Sequence, residues 1–234
     1  MNTGIDGKVV AITGGFGSLG IATAAFLIER GASVALIGRG AAPDPPPAGV
    51  AGALGIGGVD LADAHAARQA LDAINGQLGR LDALLNIAGA FRWETVADGD
   101  PATWDLMFEV NVKTALNASR AALPHLLRSG AGRIVNMGAG AALKAGAGMG
   151  AYAASKAGVV RLTEALAEEL KDKGVTVNAI LPSIIDTPPN RKDMPGADFT
   201  RWVQPREIAA LIAYLLSADA QAITGASIPV NGRV

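Results

Sequence analysis

The sequence has no cysteine, only two histidines and an aromatic fraction of 4% in 234 residues. Without cysteine there are no disulfides and no thiolate metal ligands. His65 and His125 have no second ligand at a metal-like spacing, so we predict no metal site and interpret both as solvent-facing or capping residues. No apolar run approaches the roughly 20 residues that span a bilayer. The polar start, Met1 to Lys8, is unlike a signal peptide.

Charged residues are also few. Charged residues make up 18% of the chain and the net charge is −1, which gives no electrostatic reason to expect nucleic acid or an anionic membrane as a partner. Hydrophobic residues make up 50%, and the length suffices for one α/β domain with a sizeable core. We therefore expect a single cytoplasmic domain over residues 1–234.

Short apolar runs alternate with longer segments of helical periodicity along the whole chain. The predicted strands are Val9–Thr13, Ser33–Ile37, one that ends at Val59, Leu81–Ile87, Gly132–Met137, Val175–Leu181 and Ile228–Val230. The predicted helices are Leu19–Arg30, His65–Leu78, Thr103–Leu127, Tyr152–Lys173 and Pro205–Leu216. Such alternation predicts a Rossmann-type, doubly wound parallel sheet of about seven strands with helices on both faces. Four prolines between Gly40 and Gly58 predict an irregular second crossover.

A glycine-rich loop, Thr13 to Gly20, follows the first strand and opens the first helix. Glycines there let the backbone turn tightly and let a pyrophosphate approach the free N–H groups of the helix. The strand–turn–helix context makes this interpretation stronger than a structural tight turn alone. The predicted cofactor-binding residues in the loop are Gly14, Phe16, Gly17, Ser18, Leu19 and Gly20.

The ends of the next strands carry polar residues at the edge where ligands of such folds bind. Arg39 follows the second strand, where a carboxylate would bind the ribose hydroxyl of NAD, so the position favours the 2′-phosphate of NADP(H), with NAD(H) possible; the alternative is a plain surface cation. Asp60 and Leu61 follow the third strand and are placed near the adenine. Asn86, Ala88 and Gly89 end the fourth strand at the same edge.

Tyr152 and Lys156 are four residues apart, which places them on one face of a helix. A fixed ammonium beside a phenol lowers the pKa of the phenol, so we predict that Tyr152 exchanges protons near neutral pH. From Met137 to Ala151 there is no Ser, Thr or Asn to supply a second hydrogen-bonding side chain. Asn111, flanked by valines, is either a capped core amide or an organiser of a water molecule or of the lysine.

Together these residues resemble the short-chain dehydrogenase/reductase family over essentially the whole chain. The resemblance rests on Thr13–Gly20, Asp60, Asn86–Gly89, Asn111, Gly132–Asn136, the Tyr152/Lys156 pair and Val177–Pro182. It implies that Tyr152 is the catalytic acid/base, that Lys156 holds the nicotinamide ribose, and that Asn111 supports a proton-relay water. It also implies that Pro182, Ile185 and Thr187 contact the nicotinamide side of the cofactor, and that the protein is a homodimer or homotetramer.

One departure from the family pattern concerns the substrate. The family's catalytic serine lies 13 positions before the tyrosine, where this chain has Ala139. A branch that lacks this serine, quinonoid dihydropteridine reductase, resembles this chain over Leu181–Trp202, although that branch favours NADH and has an aspartate after the second strand. Since a quinonoid ring is already electron-poor, the resemblance implies such a ring, or an activated carbonyl, as the substrate.

The resemblance places a substrate loop at residues 183–204. We expect Arg191 and Trp202 on this loop, together with Ala139, to be near the substrate, and either Phe91 or Trp93 to stack on a flat ring. Two alternatives remain: a catalytically weak redox sensor that binds NAD(P), and a generic ketone or 3-oxoacyl reductase.

Overall fold

A computed structural model describes residues 4–234 and shows seven strands in one parallel sheet. The strands are β1 Val9–Thr13, β2 Ser33–Ile37, β3 Leu54–Ile56, β4 Ala83–Asn86, β5 Arg133–Met137, β6 Thr176–Pro182 and β7 Ser227–Val230. Their order is β3-β2-β1-β4-β5-β6-β7, so the connections reverse direction between β1 and β4. The predicted doubly wound α/β fold is confirmed.

Seven α-helices cover the two faces of the sheet in the described part of the chain. They are α1 Ser18–Ile28, α2 Ala64–Leu78, α3 Pro101–Phe108, α4 Thr114–Ser129, α5 Gly150–Leu170, α6 Pro188–Asp193 and α7 Pro205–Leu216. Helix α1 packs against α7, and α2 packs against α4, so each face of the sheet has its own apolar core. None of the helices found between residues 4 and 234 is long and apolar enough to cross a membrane.

The third strand differs from the prediction. It covers Leu54–Ile56 and ends before Val59. Gly58, at φ +73°, turns the chain after the strand, and the Val59 amide then donates to the Gly38 carbonyl at 3.1 Å. Val59 is buried because it packs into the core under α2. Its side chain is therefore apolar because it is buried, although it does not pair with a strand. The irregular second crossover is as predicted, with β3 as its one regular element.

The long helix predicted over Thr103–Leu127 is in fact three consecutive pieces. A five-residue π-helical turn, Glu109–Lys113, separates α3 from α4, and Asn111 lies in its middle. Asp100 fixes the start of α3, where its side chain accepts from the Ala102 amide, and Gly130 at φ +71° ends α4. Such wide turns inside α-helices often occur at functional sites.

Candidate active site

A cavity of about 620 Å³ opens at the carboxyl edge of the sheet, above the point where the strand order reverses between β1 and β4. Ligands of open α/β sheets bind in such a crevice. The structure brings most of the predicted site residues to its wall: Gly14, Phe16, Gly17, Ser18, Leu19, Gly20, Arg39, Ala88, Gly89, Phe91, Ala139, Tyr152, Lys156, Pro182, Ile185 and Thr187.

Gly14 lets the loop pass close to the neighbouring strand. It has φ +65°, and a Cβ atom there would lie 2.8 Å from the backbone nitrogen of Ala88. A Cβ at Gly20 would lie 2.5 Å from the Gly14 carbonyl oxygen. The Thr13 hydroxyl accepts a hydrogen bond from the Ala88 amide at 3.1 Å, a role that the sequence did not reveal. Both glycines are therefore required by backbone contacts.

The N-terminus of α1 fits a phosphate group. The first intrahelical hydrogen bond runs from Ile21 to the Gly17 carbonyl, so the amides of residues 18–20 have no acceptor within the helix. No side chain caps this end, and its first turn has no acidic residue. Free N–H groups and the helix dipole at the cavity wall favour an anion. The residues present thus fit the pyrophosphate of a dinucleotide.

A second hollow of about 280 Å³ joins the cavity at Gly14, Gly38 and Arg39. Asp60 and Leu61 line this hollow and do not line the main cavity. Asn117 on α4 donates to the carbonyl oxygens of Leu61 and Ala62 at 3.0 and 2.9 Å and so fixes this turn. Sequence reasoning missed Asn117, because one amide on a helix gives no signal of which distant loop it holds.

Tyr152 and Lys156 lie on one face of α5, as their spacing predicts. The Lys156 ammonium donates to the Met137 carbonyl at 2.9 Å, and its nitrogen lies 5.9 Å from the centroid of the Tyr152 ring. Burial lowers the pKa of Lys156 to about 8. Burial raises the pKa of Tyr152 to about 12, opposite to the predicted direction. The prediction of a lowered phenol pKa was wrong because burial removes the phenolate from water and so disfavours it.

Asn111 is a buried clamp. Its Oδ1 accepts from the Ala90 amide and its Nδ2 donates to the Ala90 carbonyl, both at 3.1 Å. The same Nδ2 donates to the Ser155 hydroxyl at 3.0 Å, and that hydroxyl donates to the Tyr152 carbonyl at 2.7 Å. The Gly89 backbone packs between Asn111 and Lys156. Asn111 therefore ties the chain after β4 to α5 and makes no direct hydrogen bond to the lysine.

Asn86 does not lie on the cavity wall. It is 3% exposed, and its Nδ2 donates to Asn136 Oδ1 at 2.8 Å and to Ser119 Oγ at 3.0 Å. Asn136 in turn donates to the Thr163 hydroxyl at 2.8 Å. The predicted cofactor contact of Asn86 is thus replaced by a role in a buried network that joins β4, β5, α4 and α5.

The predicted substrate loop, residues 183–204, contains α6 and a 3₁₀ turn at Phe199–Arg201. Arg191 forms two hydrogen bonds to the Asp186 carboxylate, at 2.5 and 2.8 Å. This pairing, with help from Gln204, lowers the pKa of Asp186 to about 2. Trp202 is buried and packs on the Phe199 ring at 4.8 Å. Arg191 and Trp202 therefore stabilise the loop itself and are not on the cavity wall.

Thr187 and Ile185 face the cavity from this loop. Thr187 is the N-cap of α6, and its hydroxyl accepts from the Asn190 amide at 3.4 Å. Asn190 also donates to the Ile185 carbonyl at 2.8 Å, which ties the two predicted contact residues together.

The substrate end of the cavity carries few hydrogen-bonding side chains. Ala139 is buried on the wall near Tyr152, and the Ser183 hydroxyl donates to the Asn231 carbonyl at 2.7 Å. The Phe91 ring meets the Tyr152 ring edge-on, with centroids 4.9 Å apart. Trp93 lies outside the wall and donates to the Ala147 carbonyl. Of the two predicted stacking residues, only Phe91 lines the cavity.

Both histidines lie away from the site. His65 is exposed as predicted, whereas His125 is buried, with its ring nitrogens 2.7 Å from Asp72 Oδ1 and 2.7 Å from Arg128 Nη2. The prediction of a solvent-facing or capping His125 was wrong, because His125 lies on α4 and its ring is buried against α2, where it bonds to Asp72. No cluster of three or more His, Asp or Glu suited to a metal was found among residues 4–234.

Comparison with known proteins gives the family. Residues 8–197 match the family described as short chain dehydrogenase. The chain is 34% identical to the 3-oxoacyl-[acyl-carrier-protein] reductase FabG of Vibrio harveyi, covering 97% of each chain. It is also 34% identical to 2-(S)-hydroxypropyl-CoM dehydrogenase 3 of Xanthobacter autotrophicus, covering 99% of this chain and 98% of that protein.

Solved structures of similar fold support the same family. An NAD+-bound xylitol dehydrogenase superposes with a TM-score of 0.88 at 26% identity, covering 97% of this chain and 99% of that one. A short-chain type dehydrogenase/reductase from Mycobacterium ulcerans gives a TM-score of 0.90 at 27% identity, covering 98% and 90%. With the phosphate loop, the Tyr152/Lys156 pair and the sheet order described above, these matches show that the chain is an NAD(P)-dependent oxidoreductase that belongs to the short-chain dehydrogenase/reductase family.

Proposed function

We propose that this protein reduces an electron-poor substrate, either a quinonoid dihydropterin-like ring or an activated carbonyl, with NADPH favoured as the reductant. The observation that carries the proposal is Ala139. A methyl group stands where the family pattern has a hydroxyl, and Tyr152 is left as the hydroxyl donor at this end of the cavity. Losing one donor to a developing oxyanion commonly costs roughly 10² to 10³ in rate when the reaction depends on it.

The proposed roles follow from the geometry of the chain. The nicotinamide group supplies the hydride. Tyr152 donates its phenol proton to the substrate atom that gains negative charge. Lys156, held by the Met137 carbonyl, would bind the nicotinamide ribose, and its ammonium lies 5.9 Å from the centroid of the Tyr152 ring. Asn111 keeps Ala90 and α5 in register and thereby holds Tyr152 in place.

Arg39 supports the choice of NADP(H). It is exposed at the junction of the two hollows, and no hydrogen bond or ion pair to another residue in the 4–234 range occupies it. A guanidinium in this place is free to pair with a 2′-phosphate, and a charge-assisted hydrogen bond contributes roughly 1.5–3 kcal/mol. Arg39→Asp should weaken NADPH binding by roughly tenfold or more and leave NADH binding nearly unchanged. Equal losses for both cofactors would refute the assignment.

Oxidation of NADPH and NADH should be measured with quinonoid dihydropterin, a panel of diketones, a plain ketone and a 3-oxoacyl thioester. We expect turnover of the activated substrates and little of the plain ketone. Ala139→Ser should raise kcat/KM for the plain ketone by roughly tenfold, because it restores a donor, and should change the activated substrates much less. A wild-type preference for the 3-oxoacyl thioester would favour the activity named for the Vibrio relative. No turnover with tight cofactor binding would favour a redox sensor.

A cytoplasmic homodimer or homotetramer is part of the same proposal. Helices α3 and α4 leave Trp104, Leu106, Phe108 and Leu127 between 40% and 52% exposed, which is more apolar surface than a helix in contact with water needs to display. A second copy of the chain would cover it.

A further inference from the structure

Two irregular segments form the outer wall beside Tyr152. One comprises residues 90–94 after β4, and the other comprises residues 144–149 before α5. Two hydrogen bonds join them. The indole Nε1 of Trp93 donates to the Ala147 carbonyl at 3.0 Å, and the Glu94 amide donates to the Gly148 carbonyl at 2.8 Å. These two bonds therefore join the segments into one wall.

The Trp93 ring rests on Gly148. A Cβ atom at Gly148 would lie 2.1 Å from Cε2 of Trp93 and 2.2 Å from its Nε1. Gly148 also has φ +72°, which side chains other than glycine rarely adopt. Trp93 is 61% exposed, so burial does not account for its position, and its contact with residues 147 and 148 does.

Phe91 lies between two anchors of the same segment. On one side Asn111 holds both backbone groups of Ala90. On the other side Trp93 and Glu94 are held by residues 147 and 148. Between them the Phe91 ring meets the Tyr152 ring at 86° and lines the cavity.

We propose that Trp93 is a positioning residue for the substrate side of the site, which acts through Phe91. The proposal rests on the proposed function, because Phe91 is taken to contact the substrate. Docking of Trp93 on Gly148 fixes the Phe91 ring against Tyr152 and so sets the width of the slot for a flat substrate. The cofactor contacts at Ala88 and Gly89 lie before the Asn111 anchor and do not depend on this docking.

The experiment compares Trp93→Leu and Gly148→Ala with the matched controls Tyr214→Leu and Gly146→Ala. Tyr214 is an exposed aromatic residue on α7, away from the site, and a Cβ at Gly146 would meet only the flexible Met149 side chain, at 3.3 Å. The readouts are KM and kcat for the activated substrate, the cofactor Kd, and hydrogen exchange of the amides of residues 91–94. Trp93→Phe, which keeps a ring and loses the N–H donor, is a milder variant at an exposed position.

Both test variants should raise the substrate KM by roughly fivefold or more, as the loss of one hydrogen bond predicts, with the cofactor Kd unchanged. Exchange at residues 91–94 should become faster, and the two controls should match the wild type. Trp93→Phe should give a KM and exchange rates between those of Trp93→Leu and the wild type. If the test variants behave like the controls in both KM and exchange, the positioning role is refuted while the proposed function stands. If exchange responds but no substrate is turned over by the wild type, the docking stands and the proposed function fails.

Discussion

The state of the Tyr152 phenol can be measured directly. The chain has two tyrosines, so Tyr214→Phe leaves Tyr152 as the only phenol in the protein. Tyr214 is 46% exposed on α7, and its replacement leaves the site intact. Phenolate absorbance near 295 nm, followed from pH 8 upward, should then show no transition near 10 and a midpoint of about 12.

The size of the pKa shift of Tyr152 follows from burial of the phenol. A pKa of about 12 in place of 10.0 means that phenolate formation costs roughly 3 kcal/mol more in the folded protein than in the unfolded chain. Because the folded pKa is the higher one, this contribution to stability is fully present below pH 10 and is lost as the pH rises through 12. Urea unfolding should therefore show a decline in the free energy of unfolding over that interval, which Tyr152→Phe abolishes.

Far-UV circular dichroism along the same titration must show that the fold persists, since unfolding exposes the phenol and returns its pKa to about 10. A midpoint at or below pH 10 in the folded Tyr214→Phe protein would refute the reasoning. It would mean that the Lys156 ammonium outweighs burial, as the spacing of the two residues first suggested.

Three further outcomes follow from the site. Gly14→Ala should lower the free energy of unfolding, measured in urea, by at least about 2 kcal/mol, because φ is +65° and the new methyl group would meet the backbone of Ala88. Gly17→Ala, at φ −81°, should leave stability nearly unchanged and weaken only cofactor binding. Asn111→Ala should cost about 2–4 kcal/mol, since three hydrogen bonds are lost, and a cost below about 0.5 kcal/mol would contradict the clamp role. The kcat/KM of reduction should fall as the pH rises through about 8, where Lys156 loses its charge, and a flat profile to pH 10 would exclude that role.

Apolar periodicity was enough to predict the strand count and the parallel sheet, because buried parallel strands are apolar throughout. It failed at Val59 and within residues 109–113 for different reasons. Val59 is apolar because it packs into the core under α2, and a strand pattern cannot be told from other buried positions in one short run. The π-helical turn adds no break in composition, so it becomes visible only in the folded chain, where Asn111 in its middle bonds to Ala90 and Ser155.

The candidate site could be predicted where a motif carries its own geometry. Gly14, Tyr152 and Lys156 line the cavity because the strand–turn–helix and the helical spacing place them there. Arg191 and Trp202 do not line it, since tertiary partners on their own loop engage them. Loop side chains have no periodicity to indicate which way they face, so only the folded chain separates Phe91 from Trp93.

The pKa values of Tyr152 and Lys156 together bear on the proton-donor role proposed for Tyr152. At pH 7 the buried phenol of Tyr152 is protonated and the Lys156 ammonium, with a pKa of about 8, is mostly charged. A phenol is ready to donate a proton, whereas oxidation of an alcohol needs a phenolate to accept one. The free-energy cost of a buried phenolate would have to be offset by a hydrogen-bond donor. Ala139 has no hydroxyl that could donate to the phenolate. At pH 7 this protonation state suits Tyr152 to the proton-donor role proposed for it, with an electron-poor substrate as the hydride acceptor.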